Sequence, residues 1–270
     1  MRVAGGLAYR EAGPAEGPVA LLLHGYPESS YMWRDLMPAL ARAGWRALAP
    51  DLAGFGDSEA DPPGTWERHT QSIERFRSEL GLERCVPVVH DWGGLIGLRW
   101  ACEHPGAVRA LVISSTGFFP DGKWHGMAKA LRTPGEGEAL VEALDRDGFG
   151  AMVRSASPAM SDAALDEYWK AYSDPARRRG QLELYRSGDF EQIAGHRLAG
   201  LEVPVLLLWG ENDPFAPLAG AHRFERELGD TELVVVEGTG HFVWEDAPER
   251  CAEALTGFLA RIHQSSGSST

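Results

Sequence analysis

Six short apolar runs punctuate the chain: VALLLHG (19–25), RALAPDL (46–52), CVPVVHD (85–91), VRALVIS (108–114), VPVLLLWG (203–210) and ELVVVEG (232–238). Runs this rich in Val and Leu, separated by segments with helical spacing, fit strands buried on both faces. They predict an α/β fold with a mostly parallel sheet between helices. A chain of 270 residues with 44% hydrophobic content can bury such a core.

In sheets of this kind the ligand site lies outside the carboxyl ends of the strands. His24, Asp51, Asp91, Asp213 and His241 each follow one of the runs, so their loops should converge on one edge. Between Phe118 and about Gly200 the strand pattern stops and amphipathic stretches such as AALDEYWKAY and RRRGQLELYRS replace it. The expected organisation is therefore a core of residues 1–117 and 201–263, a helical cap of 118–200 over the site, and a flexible tail, 264–270.

The formal charge of −13 disfavours a nucleic acid or an anionic membrane surface, which would require a basic patch. Arg177, Arg178 and Arg179 form one short basic run, read as a solvated face. The chain opens on MRVAGGLAYREAG, without the basic and then apolar pattern of a signal peptide, and no apolar run reaches the roughly 18 residues of a membrane span. A cytoplasmic protein, monomer or homodimer, is expected. Cys85, Cys102 and Cys251 are odd in number and far apart, and no CxxC or HExxH spacing occurs, so neither a disulfide, a metal nor a cofactor is expected.

The stretch VVHDWGGLIG (88–97) reads as a strand, a sharp turn and a helix, with Gly93 and Gly94 giving room for a side chain at the turn to project. That side chain is Asp91. The helix start behind it offers free N–H groups and positive dipole character, which keep a carboxylate ionised. A carboxylate needs no base before it attacks, and its attack on an sp3 carbon leaves an alkyl ester, which a base can then hydrolyse with water. His241, in EGTGHFVWEDAPE, is the candidate base, and Asp213, in LLLWGENDPFAP, the acid that orients it. The backbone N–H groups of Tyr26 and Trp92 are the candidate oxyanion hole.

HGYPESSYMWRDLMP, DLAGFGDS, VVHDWGGLIGLRWA, LLLWGENDPF and GTGHFVWEDAPE together resemble the α/β-hydrolase superfamily, in the branch with an aspartate nucleophile. That branch contains epoxide hydrolases and haloalkane dehalogenases. The resemblance covers nearly everything except the cap. Val89, two residues before the nucleophile, departs from it, since many members carry a smaller residue there.

The leaving group decides what the cap must supply. An epoxide opens to a strongly basic alkoxide, which needs a proton donor such as a tyrosine; a halide needs only N–H donors. Tyr185, in GQLELYRSGD, resembles the YR element that carries a catalytic tyrosine in epoxide-hydrolase caps, and Tyr26 in HGYPE also looks like that family. SSYMWRDLMP and DWGGLIGLRWA look dehalogenase-like, and KWHGMAKALRTPG lacks the partner tyrosine that epoxide hydrolases place in the first half of the cap. Tyr168 or Tyr172 could replace that phenol, while Trp92 and Trp124 could cradle a halide. The other histidines, His125 among them, are read as surface or packing residues and His24 as a loop stabiliser. The resemblance implies a hydrolase for small apolar electrophiles, an epoxide first and an alkyl halide as the alternative, with water as co-substrate; a receptor without turnover would be expected to lack part of the triad.

Overall fold

The computed structural model describes residues 1–267. Eight strands form one sheet: β1 (Arg2–Ala4), β2 (Leu7–Ala12), β3 (Val19–Leu23), β4 (Arg46–Pro50), β5 (Cys85–His90), β6 (Leu111–Ser114), β7 (Val205–Gly210) and β8 (Thr231–Val236). Their order is β1-β2-β4-β3-β5-β6-β7-β8; β1 and β2 pair antiparallel, as do β2 and β4, and every other neighbour is parallel. The six expected runs all supply strands. The two N-terminal ones were not expected, because RVA and LAYREA are short and only weakly apolar; LAYREA is held by pairing with β4, and RVA by pairing with LAYREA.

The middle strands are buried along their whole length in β5, β6 and β7, which is why they read as unbroken apolar runs rather than alternating ones. Helices α1 (Met37–Arg42), α2 (Trp66–Glu79) and α3 (Asp91–Glu103) cross between the first strands. Helix α2 starts where Thr65 accepts from the Arg68 N–H, and it buries Trp66, Ile73 and Phe76 on one face. Removing side chains of this size from water stabilises by about 1.5–3 kcal/mol each.

Between β6 and β7 the chain is helical: α4 (Gly126–Arg132), α5 (Glu136–Ala143), α6 (Arg146–Ala156), α7 (Asp162–Trp169) and α8 (Pro175–Ser187). Asp145, Ser161 and Asp174 each accept a backbone N–H at the start of the last three, which fixes where those helices begin. This insertion is fastened to the sheet side by Lys170–Asp57 at 2.8 Å, by Arg177 Nη1 donating to the Gly56 carbonyl at 2.9 Å, and by Glu245, which binds Arg34 at two points and also accepts from the Tyr168 hydroxyl. Exposed pairs such as the first contribute about 0–1 kcal/mol, so orientation rather than stability is their main effect.

The chain ends with α9 (Leu218–Glu227), α10 (Val243–Asp246) and α11 (Pro248–Gly267). Helix α11 corrects the expected tail: residues 264–267 continue the helix's hydrogen-bond ladder, and 268–270 lie outside the described residues. Among the described residues no helix is long and apolar enough to cross a membrane.

Candidate active site

Asp91 stands at the junction of β5 and α3 with φ of 49°, a left-handed conformation that non-glycine residues adopt only when their surroundings impose it. Two contacts impose it. The Thr116 hydroxyl donates to the Asp91 carbonyl at 2.7 Å, and a Cβ on Gly93 would stand 2.3 Å from the Leu23 carbonyl oxygen, so the turn closes only around a glycine. The Tyr26 N–H donates to Asp91 Oδ1 at 2.8 Å, as one arm of the expected oxyanion hole would.

His241 lies after β8 and is buried. Its Nδ1 faces Asp213, 3.0 Å from Oδ1 and 2.9 Å from Oδ2, and its Nε2 is 3.5 Å from Asp91 Oδ2. Asp213 is held in turn by the Phe215 and Ala216 N–H groups, both at 2.9 Å. Burial alone would lower the His241 pKa; the charges of Asp213 and Asp91 outweigh it and raise it to about 10. Asp91 and Asp213 are lowered although burial opposes this, because the imidazolium holds both as carboxylates. The resting site is thus an anion–cation–anion row.

Its surroundings keep other groups out of the chemistry. His24 donates from Nδ1 to the Gly25 carbonyl at 2.8 Å and accepts the Leu52 N–H on Nε2 at 2.9 Å, so both nitrogens serve the loop. Asp51 accepts the Ser30 and Asp57 N–H groups at 2.7 and 2.9 Å and joins two loops. Behind the triad, His90 and Glu28 are fully buried and 3.3 Å apart; burial lowers the first to about 3 and raises the second well above the carboxylate range, which leaves both neutral.

Two cavities, of about 270 and 180 Å³, meet at Asp91. Both are lined by Asp91, His241, Tyr185, His125 and Phe215; Trp92 and Trp124 wall the larger one, Tyr26 and Met152 the smaller. Tyr185 comes from α8, its ring edge-on to Tyr26 and to Trp92 at 5.1 Å each. Burial, then the charge of Asp91, push the phenol's pKa well above its ordinary value, and the neighbouring Trp92 indole opposes them. Trp124 stacks on Trp92 at 5.4 Å and 24°. Tyr172 and Tyr168, the other candidate phenols, are committed elsewhere: their hydroxyls bond Tyr26 and Glu245, and neither lines either of these two cavities. His125, read from sequence as a packing residue, is instead part of the wall. Its neighbour Trp124 was the one signal that could have placed it there.

A family model of the α/β-hydrolase fold matches residues 18–248. A haloalkane dehalogenase of Mycobacterium marinum is 34% identical over 92% of this chain and 86% of its own length. The solved haloalkane dehalogenase DbeA of Bradyrhizobium elkani is 28% identical with a TM-score of 0.83, over 98% of both chains. A Pseudomonas aeruginosa structure described provisionally as an epoxide hydrolase is 28% identical with a TM-score of 0.81, over 96% of this chain and 93% of that one.

Proposed function

The chain belongs to the α/β-hydrolase family, in its aspartate-nucleophile branch, and from that premise we propose that it hydrolyses epoxides to vicinal diols through an ester on Asp91. The observation that carries the choice is Tyr185: a phenol in the wall shared by both cavities, beside the nucleophile.

Asp91 attacks an epoxide carbon; as the new C–O bond forms, the ring C–O bond breaks and its electron pair passes to the ring oxygen. That oxygen takes the Tyr185 proton, an alkoxide being a stronger base than a phenolate, and the Trp92 indole N–H supports the phenolate left behind. Esterification removes the charge of Asp91, one of the two anions that hold the His241 proton, so the imidazolium gives that proton up to the Tyr185 phenolate and the neutral imidazole is left to act as base. Water then adds to the ester carbonyl, with the developing oxyanion toward the Tyr26 and Trp92 N–H groups. One proton of that water reaches the departing alkoxide by way of His241, and the other, left on the Asp91 carboxyl, passes to His241, which restores the carboxylate and the imidazolium beside the already reprotonated Tyr185. The helices of 118–200 act as the cap that keeps bulk water from the ester.

A second reading, dehalogenation, is favoured by the named relatives and by the Trp92–Trp124 stack in the wall of the larger cavity. Against it, Tyr26 presents a ring to the smaller cavity where dehalogenases usually carry a side-chain amide or carboxyl.

Parallel assays with epoxides and bromoalkanes separate the two. Tyr185→Phe keeps the ring and removes the donor, so ester formation from an epoxide should slow by about 10²-fold or more. If that variant opens epoxides normally while Trp124→Phe abolishes bromide release, the dehalogenase reading replaces this one.

A further inference from the structure

Epoxide opening places charge on one oxygen, and Tyr185 is a single donor to it. The first half of the insertion contains no tyrosine to serve as a second. In its place the structure holds His125, just before α4, lining both cavities together with Asp91 and Tyr185.

The orientation of the ring follows from its local role. His125 caps α4: its Nδ1 accepts the Ala128 N–H at 3.4 Å, which requires a bare lone pair on that nitrogen. A neutral imidazole with Nδ1 as acceptor carries its one hydrogen on Nε2. Burial lowers the ring's pKa, with the neighbouring His241 adding to the effect against the pull of Asp91 and Asp213, so the neutral form is the one present near pH 7. Phe215 lies 5.1 Å from the ring and offers it no polar partner.

We propose that His125 is the second catalytic donor of the cap, giving a hydrogen bond from Nε2–H to the epoxide oxygen as Asp91 opens the ring. The assignment rests on the epoxide reading and deepens it. Tyr185 transfers its proton to that oxygen; His125 keeps its own and stabilises the charge, as a neutral imidazole can when its ring is fixed in advance. The cap hydrogen bond and the catalytic one use opposite ring nitrogens, so a single side chain sets the start of α4 and faces the substrate.

Two substitutions separate these roles. His125→Asn keeps an oxygen near Nδ1 and remains a good N-cap, but has nothing at the position of Nε2. His125→Gln puts an amide N–H near Nε2 and caps poorly. Ester formation from an epoxide is followed by intact mass in single turnovers, in a His241→Phe background where the ester persists. The Asn variant should form ester about 10²-fold more slowly, and the Gln variant should recover to within about tenfold of the parent. A merely structural histidine gives the reverse order, Asn fast and Gln slow; that order, equal rates, or equal loss in both overturns the assignment. If the parent is alkylated by bromoalkanes and by no epoxide, the epoxide reading falls and this role with it. An epoxide-alkylated parent with any pattern but the expected one removes only His125.

Discussion

Gly25 and Asp91 are packed so closely that a Cβ added to Gly25 would lie 2.4 Å from the Asp91 Cβ and 2.7 Å from its Oδ1. The loop after β3 therefore fixes the nucleophile from the front, as Gly93 lets the strand ends close on it from behind. Gly25→Ala should displace the carboxylate and lower the rate of ester formation by about 10²-fold, with a smaller effect on folding. Stopped-flow single turnovers beside a thermal melt test this; a variant with native rates would show that the contact does not position Asp91.

His241→Phe should trap the intermediate. With no base to activate water, incubation with a good substrate adds the mass of the substrate to the chain, and peptide mapping should place the adduct on Asp91. An unmodified protein after such incubation would argue against covalent catalysis.

Asp213→Asn keeps the shape beside His241 Nδ1 and removes the charge that stabilises the imidazolium. Hydrolysis of the ester should suffer more than its formation, by as much as about 10⁴-fold on the scale of triad acids generally. Rapid-quench measurement of the two steps decides it, and the opposite order would assign the acid's role elsewhere.

Neutralising Asp91 should make His241 easier to deprotonate. In Asp91→Asn, which mimics the uncharged ester, NMR titration should find the His241 pKa below the native value of about 10. An unchanged pKa would mean that Asp213 alone holds the proton and that esterification does not release the base.

The same raised pKa makes stability depend on pH. A group whose pKa rises from 6.5 unfolded to about 10 folded stabilises fully below 6.5 and loses that contribution as pH climbs through about 10. The melting temperature should fall between pH 7 and 10, by roughly 2–4 °C for each kcal/mol lost in a chain of this size, and fall less in His241→Gln. Equal falls in both would place the titration at another group.

Much of the site was legible because its rules are local. A strand, a turn residue and two glycines define the elbow within a few positions of Asp91, and the parallel sheet carries Asp213 and His241 to the same edge as the nucleophile. The helical insertion obeys no such rule. Tyr168, Tyr172 and Tyr185 are alike in sequence, yet Glu245 takes the first hydroxyl, Tyr26 the second, and only the third lines the cavities.

The sequence by itself determined six of the eight strands and the placing of Asp91, Asp213 and His241 after three of them, since apolar runs and turn residues act through their immediate neighbours. Tertiary structure alone decided the rest: that LAYREA becomes a strand against β4 and RVA one against LAYREA, that residues 264–267 extend α11, and that His125 lines the same cavities as Asp91. These depend on how five insertion helices and both chain ends pack against surfaces distant in sequence. The energies involved are sums over partners that no local pattern names.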